Sequence, residues 1–212
     1  MHHQRGFTLI EIAIVLLIIG LLLGGVLKGQ EMITQAKIKN IANDLNGIAA
    51  ATYAYQDRYK KLPGDDDGAE NRWTNPATKK GDGNGAVGIA TAGVIDCAQA
   101  ANVDKENCRF WQHLRLAGLI SGDASCSVGP QNVGGGIIQA QSGALGLAGL
   151  VICATGLSGK LADAVDAQLD DGKPGMGQVR ATDDSTRLDT RLADNASYKD
   201  DGTTVYALCK SI

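Results

Sequence analysis

The chain has 212 residues, 44% of them hydrophobic, enough for one buried core and at most a small second part. Its formal net charge of −3 supplies no global positive field, and Lys60-Lys61 and Lys79-Lys80 are isolated basic pairs, so nucleic-acid binding is not expected. With 28 glycines and only 4% aromatics, the body suits strands, turns and loops better than a closely packed helical bundle.

Residues 5–20 read RGFTLIEIAIVLLIIG. From Phe7 to Leu27 the only charge is Glu11, and the run is long enough for one membrane span of about 20 residues. A charge inside such a span costs at least about 2.5 kcal/mol and is usually paired. A secretory signal has a shorter apolar region and a small-residue cleavage site, for which Gly20, Gly24 and Gly25 are a poor substitute. A plain single-span anchor explains the length and the flanking Arg5 and Lys28, but gives no reason for the carboxylate.

The run Arg5, Gly6, Phe7, Thr8, Leu9, Ile10, Glu11 resembles the class III signal of type IV pilins and type II secretion pseudopilins. The resemblance implies a leader over residues 1–6, cleavage by the prepilin peptidase between Gly6 and Phe7, N-methylation at Phe7, and a filament-assembly role for Glu11. Cleavage leaves a cationic amine at Phe7. In a staggered bundle that amine approaches Glu11 of a neighbour, so two charges that are costly apart become tolerable together and fix the axial register. One departure stands out: many major pilins have a proline near the end of the apolar segment, whereas the first proline here is Pro63. Gly20, Gly24 and Gly25 weaken that region instead, each by roughly 0.5–1 kcal/mol relative to alanine.

Beyond Lys28 the sequence turns amphipathic without a break. Ile38, Ile41, Leu45, Ile48, Thr52, Tyr55 and Tyr59 recur at spacings of three and four, predicting one helix from Phe7 to about Tyr59, roughly 80 Å long. Leu62-Pro63-Gly64 ends it. Residues 7–27 are then the transmembrane or filament-core part, 28–62 the amphipathic half, and 63–212 the soluble body. The turn-rich region 64–96 contains GDDDGAENRW and KKGDGNGAVG, and a second acidic loop follows at Asp170-Asp171-Gly172. Asp65, Asp67, Asp82, Asp170 and Asp171 are the calcium candidates, although no window meets the EF-hand spacing, so solvated turns are the expected reading and no cofactor is required.

Residues 104–120, DKENCRFWQHLRLAGLI, predict a second helix with Phe110, Leu114 and Ala117 on one face and an end or kink at Gly118. His113 beside Trp111 reads as structural, no GxSxG turn exists, and GLSGK is not a phosphate loop, so no enzymatic activity is expected. Residues 143–157 predict one or two buried strands, 160–169 a short helix, and GQVRATD and TTVYALC two further strands. The fold class is α+β: a long N-terminal helix on a mostly antiparallel sheet with short helical insertions, the pilin-like arrangement.

Five cysteines lie beyond the apolar run, none in a CxxC pair, and His113 is the only histidine outside the extreme N-terminus, so disulfides are expected rather than zinc. Disulfides require an oxidising compartment. Spacing leaves their connectivity open. A Cys153–Cys209 pair would resemble the disulfide-bounded loop of many pilins; Cys97 and Cys108 would close a small loop, leaving Cys126 free. The family resemblance implies a structural subunit of a bacterial type IV filament, with a secretion pseudopilin or a filament-tip recognition subunit as alternatives. Its implied partners are other pilin-like subunits, the prepilin peptidase and an inner-membrane assembly platform. Its implied location is the inner membrane as precursor and a periplasmic or surface filament once assembled.

Overall fold

The computed structural model describes residues 9–88 and 93–212. Helix α1 runs unbroken from Leu9 to Tyr59. The chain divides into two compact units, one ending at Lys37 and the other beginning at Ile38. In the first unit every described residue from Leu9 to Lys28 is exposed. The most apolar 18-residue window of α1 has a mean hydropathy of 2.8, long and apolar enough to cross a membrane.

In the second unit α1 becomes one-sided. Ile38, Ile41, Leu45, Ile48, Thr52 and Tyr55 are buried, the predicted stripe at helical period, while Tyr59 is half-buried at the end. Termination follows from Lys60, which takes a left-handed backbone (φ 58°), and from Pro63. Gly64 then docks on the next helix: a Cβ there would lie 2.5 Å from the Glu106 carbonyl oxygen, so only glycine fits.

A single-turn helix α2 (Ala69–Arg72) sits inside the first acidic loop, where the sequence indicated turns only. Helix α3 spans Glu106–Leu116. It closes with a Schellman arrangement: Gly118 has φ 69°, its N–H donates to the Arg115 carbonyl at 2.9 Å, and the Leu119 N–H donates to the Leu114 carbonyl at 3.0 Å. That is the end predicted at Gly118.

Strands β1 (Ile138–Ala144) and β2 (Leu147–Ser158) form a hairpin. Its turn, Leu145-Gly146, has positive φ at both residues (50° and 73°), as the tightest hairpins require. Helix α4 (Gly159–Leu169), β3 (Val179–Thr182) and β4 (Val205–Ser211) follow. The sheet order is β1-β2-β4-β3, with every neighbouring pair antiparallel. The architecture is therefore α+β, a long helix plus a four-stranded antiparallel sheet and short helices.

Alternation divides the sheet into two faces. Ile138, Ala140, Leu150, Ile152, Ala154, Val179, Ala181, Tyr206 and Leu208 join the buried stripe of α1, Phe110 and Leu114 of α3, and Leu161 and Val165 of α4 in one core. The opposite face carries Val151, Cys153, Ala207 and Cys209, covered by Leu188. Because both faces are buried, β2 shows little polar alternation and reads as a nearly continuous apolar run. The hairpin begins at Ile138, earlier than the predicted 143, because buried Gln139 is satisfied by the backbone of Ile95, whose N–H donates to Gln139 Oε1 at 3.1 Å and whose carbonyl accepts from Gln139 Nε2.

Candidate functional site

The N-terminal segment is the first candidate. Glu11 lies in the first turn of α1, where the positive end of the helix dipole favours a carboxylate. Gly6 and Phe7 lie outside the described residues. Each large apolar side chain left in water along this segment forgoes about 1.5–3 kcal/mol of burial. The surface thus favours a low-polarity surrounding, whether lipid or other helices.

The body holds two acidic clusters that differ in how their oxygens are satisfied. In the first, Asp65, Asp82 and Glu106 converge. Asp65 is buried, and its two oxygens accept the N–H groups of Asn84 at 3.0 Å and Gly85 at 2.8 Å. Asp82 accepts from Asn84 at 3.0 Å, and Glu106 accepts from the Asp82 and Gly88 N–H groups at 3.0 and 2.9 Å. Burial raises the Asp65 carboxyl above its ordinary range, with backbone hydrogen bonds from Gly85 and Gly83 opposing the rise. This cluster organises the glycine-rich loop through its own amides. Asp67 stands apart, paired with Lys61 at 3.0 Å.

In the second cluster, one carboxylate oxygen from each of Asp166, Asp170 and Asp171 lies within 4.8 Å of the others. Asp166 is fully buried near the end of α4; its Oδ2 accepts the Tyr198 hydroxyl at 2.7 Å, and the Gly172 amide lies beside the carboxylate. Burial pushes its carboxyl up to about 6, helped by the charges of Asp171 and Asp170 and opposed by the Tyr198 hydroxyl and the Gly172 amide. Asp170 Oδ2 accepts the Gln178 and Val179 N–H groups at 2.5 and 3.0 Å, and Asp171 Oδ1 accepts that of Lys173 at 2.9 Å. Asp166 and Glu106 were not among the sequence candidates. Asp166 carries one readable signal, its position four residues before Asp170, on the same helical face.

A buried polar group closes the end of α1. Asp66 accepts the Tyr55 hydroxyl at 2.6 Å, Arg72 at 2.5 Å and the Gly68 N–H at 2.9 Å. Burial alone would raise its carboxyl, but these donors outweigh it and hold it below the usual range. The Arg72 guanidinium also lies 4.2 Å from the Tyr59 ring centre and 4.9 Å from that of Trp73. His113 is fully buried: Nδ1 accepts the Gly64 N–H at 2.9 Å, and Nε2 lies 3.1 Å from the Lys79 carbonyl, to which it donates as the neutral tautomer. Burial pushes it down to about 4. With both nitrogens engaged by backbone, His113 has the geometry of a splint between α1 and α3, not of a proton shuttle. The neighbouring cleft of 630 Å³ is lined by Glu70, Trp73, Thr78, Lys79 and Gln112 among others, and His113 is not part of its lining.

The structure carries disulfides Cys97–Cys108 and Cys153–Cys209, with Cys126 as the free cysteine among the described residues. Cys153 and Cys209 are directly opposed in the β2–β4 register. The bond sits on the sheet face opposite the α1 core and ties β4 to β2.

Comparison with known proteins adds one finding at the N-terminus: residues 1–27 match the family model for the prokaryotic N-terminal methylation motif. No curated protein and no solved structure matches the chain. The chain thus carries the prepilin signal of type IV pilins and pseudopilins, and with it the mark of a precursor processed at the N-terminus. The motif points to a structural subunit assembling with other pilin-like subunits, and together with the apolar helix it fits an inner-membrane precursor.

Proposed function

We propose that the chain is a structural subunit of a bacterial type IV filament, a type IV pilus pilin or pilin-like protein. It is inserted as a single-pass inner-membrane precursor, cut by the prepilin peptidase after Gly6, methylated at Phe7 and moved from the bilayer into a periplasmic or surface filament. The supporting observation is the coincidence of the methylation motif at residues 1–27 with a helix exposed on all sides from Leu9 to Lys28. A helix that is apolar all round needs burial all round, in lipid before assembly and among neighbouring stems after it. Glu11 pairs with the Phe7 amine of a neighbouring subunit and sets the axial offset. A soluble body of this size with paired cysteines favours a pilin over a small major pseudopilin.

The test is Glu11→Val in an assembling strain. Processing proceeds normally, while the amount in sheared filaments falls by about tenfold or more, equivalent to losing roughly 1.4 kcal/mol per joint. Normal filament yield from this variant would sink the assignment. Gly6→Glu provides the contrast, leaving an uncut precursor of unshifted gel mobility. The wild-type abundance in sheared filaments separates a bulk subunit from a tip subunit.

A further inference from the structure

We propose that the Asn84-Gly85 step is a self-modification site, where the Gly85 nitrogen closes on the Asn84 side-chain amide and the asparagine becomes aspartate and isoaspartate. A glycine after asparagine has no side chain to obstruct that five-membered ring, and a Cβ on Gly85 would meet nothing within 4 Å. Three hydrogen bonds set out the parts that an amide-transfer reaction needs. The nucleophile is the Gly85 nitrogen, whose N–H donates to Asp65 Oδ2 at 2.8 Å, so the proton acceptor is already in place. The electrophile is the Asn84 amide carbon. Its Oδ1 accepts the Ala86 N–H at 2.8 Å, which folds the side chain back over the Gly85 peptide and supplies a donor to the oxygen where negative charge develops. The departing nitrogen, Nδ2, donates to Asp82 Oδ2 at 2.8 Å, a carboxylate that stabilises it as it becomes ammonium.

The atoms balance with water as the only co-reactant. The bond from Gly85 N to Asn84 Cγ forms and the Cγ–Nδ2 bond breaks. Asp65 takes the Gly85 proton, which passes through solvent to the leaving nitrogen and completes ammonia. Water then opens the cyclic imide: attack at the former side-chain carbonyl gives aspartate, and attack at the main-chain carbonyl gives isoaspartate. Asn84 is exposed, so water reaches it and ammonia leaves. Burial raises the Asp65 carboxyl, which makes its carboxylate a stronger base. The chain contains an internal control in its other Asn-Gly step, Asn46-Gly47. It lies inside α1, where the Gly47 N–H belongs to the helical ladder, and Asn46 Oδ1 accepts Lys210 Nζ at 2.5 Å instead of a backbone amide. Conversion puts a new negative charge against Asp82 in place of a donor, so the loop that Asp65, Asp82 and Glu106 organise is loosened in one direction only. The proposal is independent of the filament assignment.

Peptide mass spectrometry of the full chain in detergent micelles, sampled over days at neutral pH, tests it. The readout is the mass gained when an amide nitrogen is replaced by oxygen, with isoaspartate resolved by its separate elution. Asn84 converts about a hundredfold faster in the folded chain than in the same chain unfolded in urea, the lower end of what a positioned general base contributes, while Asn46 in the folded chain stays intact. Asp65→Asn slows the folded conversion by a similar factor, and Asp57→Asn, on the exposed side of α1, leaves it unchanged. The comparison of folded with unfolded wild type needs no substitution, so it decides the matter even where Asp65→Asn fails to fold. Asn84 that converts no faster in the folded chain than in the unfolded one overturns the proposal. So does a folded Asp65→Asn protein that converts as fast as wild type.

Discussion

Helix α1 is continuous from Leu9 to Tyr59, but its two halves solve opposite problems. Up to Leu27 it is apolar around its whole circumference and exposes all of it; from Ile38 onward a stripe alone is apolar, and that stripe is buried. Both halves satisfy their backbone through the same helical ladder. Only the angular width of the apolar surface differs, and it decides whether the helix completes its burial within its own chain or needs another phase or another subunit. A long helix is thus weak information about function by itself. Its change of pattern near residue 38 is strong information.

The sharpest way to break this contrast is to cut an equivalent side chain from each half. Leu45 is fully buried in the main core. Leu45→Ala should cost the body about 2–5 kcal/mol, the range for removing a large aliphatic group from a packed site. The measurement is a denaturant or thermal midpoint followed by near-UV signal from Trp73 and Trp111. A loss below about 1 kcal/mol, well under that range, would mean that this half of α1 is not integral to the body.

What could be read from sequence was whatever depends on local pattern. The motif at Arg5–Glu11, the stripe from Ile38 to Tyr55 and the breaks at Pro63 and Gly118 all act through near neighbours in sequence. The two acidic loops were indistinguishable by composition, because what separates them is distant. Asp65 is satisfied by Asn84 and Gly85, beyond a turn whose course the residues alone do not specify. Asp166 is met by the Tyr198 hydroxyl, which approaches from a loop far along the chain. Glu106 joins the first cluster only because α3 docks beside Gly64. The opposition of Cys153 and Cys209 is likewise a matter of strand register, which cysteine spacing leaves open.

His113 sharpens the comparison through pH. It fastens the end of the buried half of α1, through Gly64, to α3, and its folded-state value of about 4 lies below the ordinary 6.5. The unfolded chain therefore takes up the proton first. The stabilisation from keeping His113 neutral is complete above about pH 6.5 and is lost as pH falls through about 4, up to about 3 kcal/mol in all. Asp166, raised by burial, acts in the opposite direction, so the informative quantity is the difference between wild type and His113→Gln. Urea midpoints at pH 7 and pH 4.5 should fall less in the variant than in wild type. Equal falls would remove His113 as the acid-sensitive splint.

The smallest expected effect carries the other side of the comparison. Leu16 is exposed and contributes to no described core cluster, so Leu16→Ala should change body stability by no more than about 0.5 kcal/mol, as surface substitutions do. The same substitution removes apolar area from the surface that enters lipid or neighbouring stems, about 0.8 kcal/mol for each buried methylene-sized group. Stability of the body and partition into membranes or filaments should therefore separate: an unchanged near-UV midpoint together with weaker retention in the membrane fraction or filament. If Leu16→Ala destabilised the body as Leu45→Ala does, the first half of α1 would be finding its burial within the chain, and the need for an outside partner would disappear.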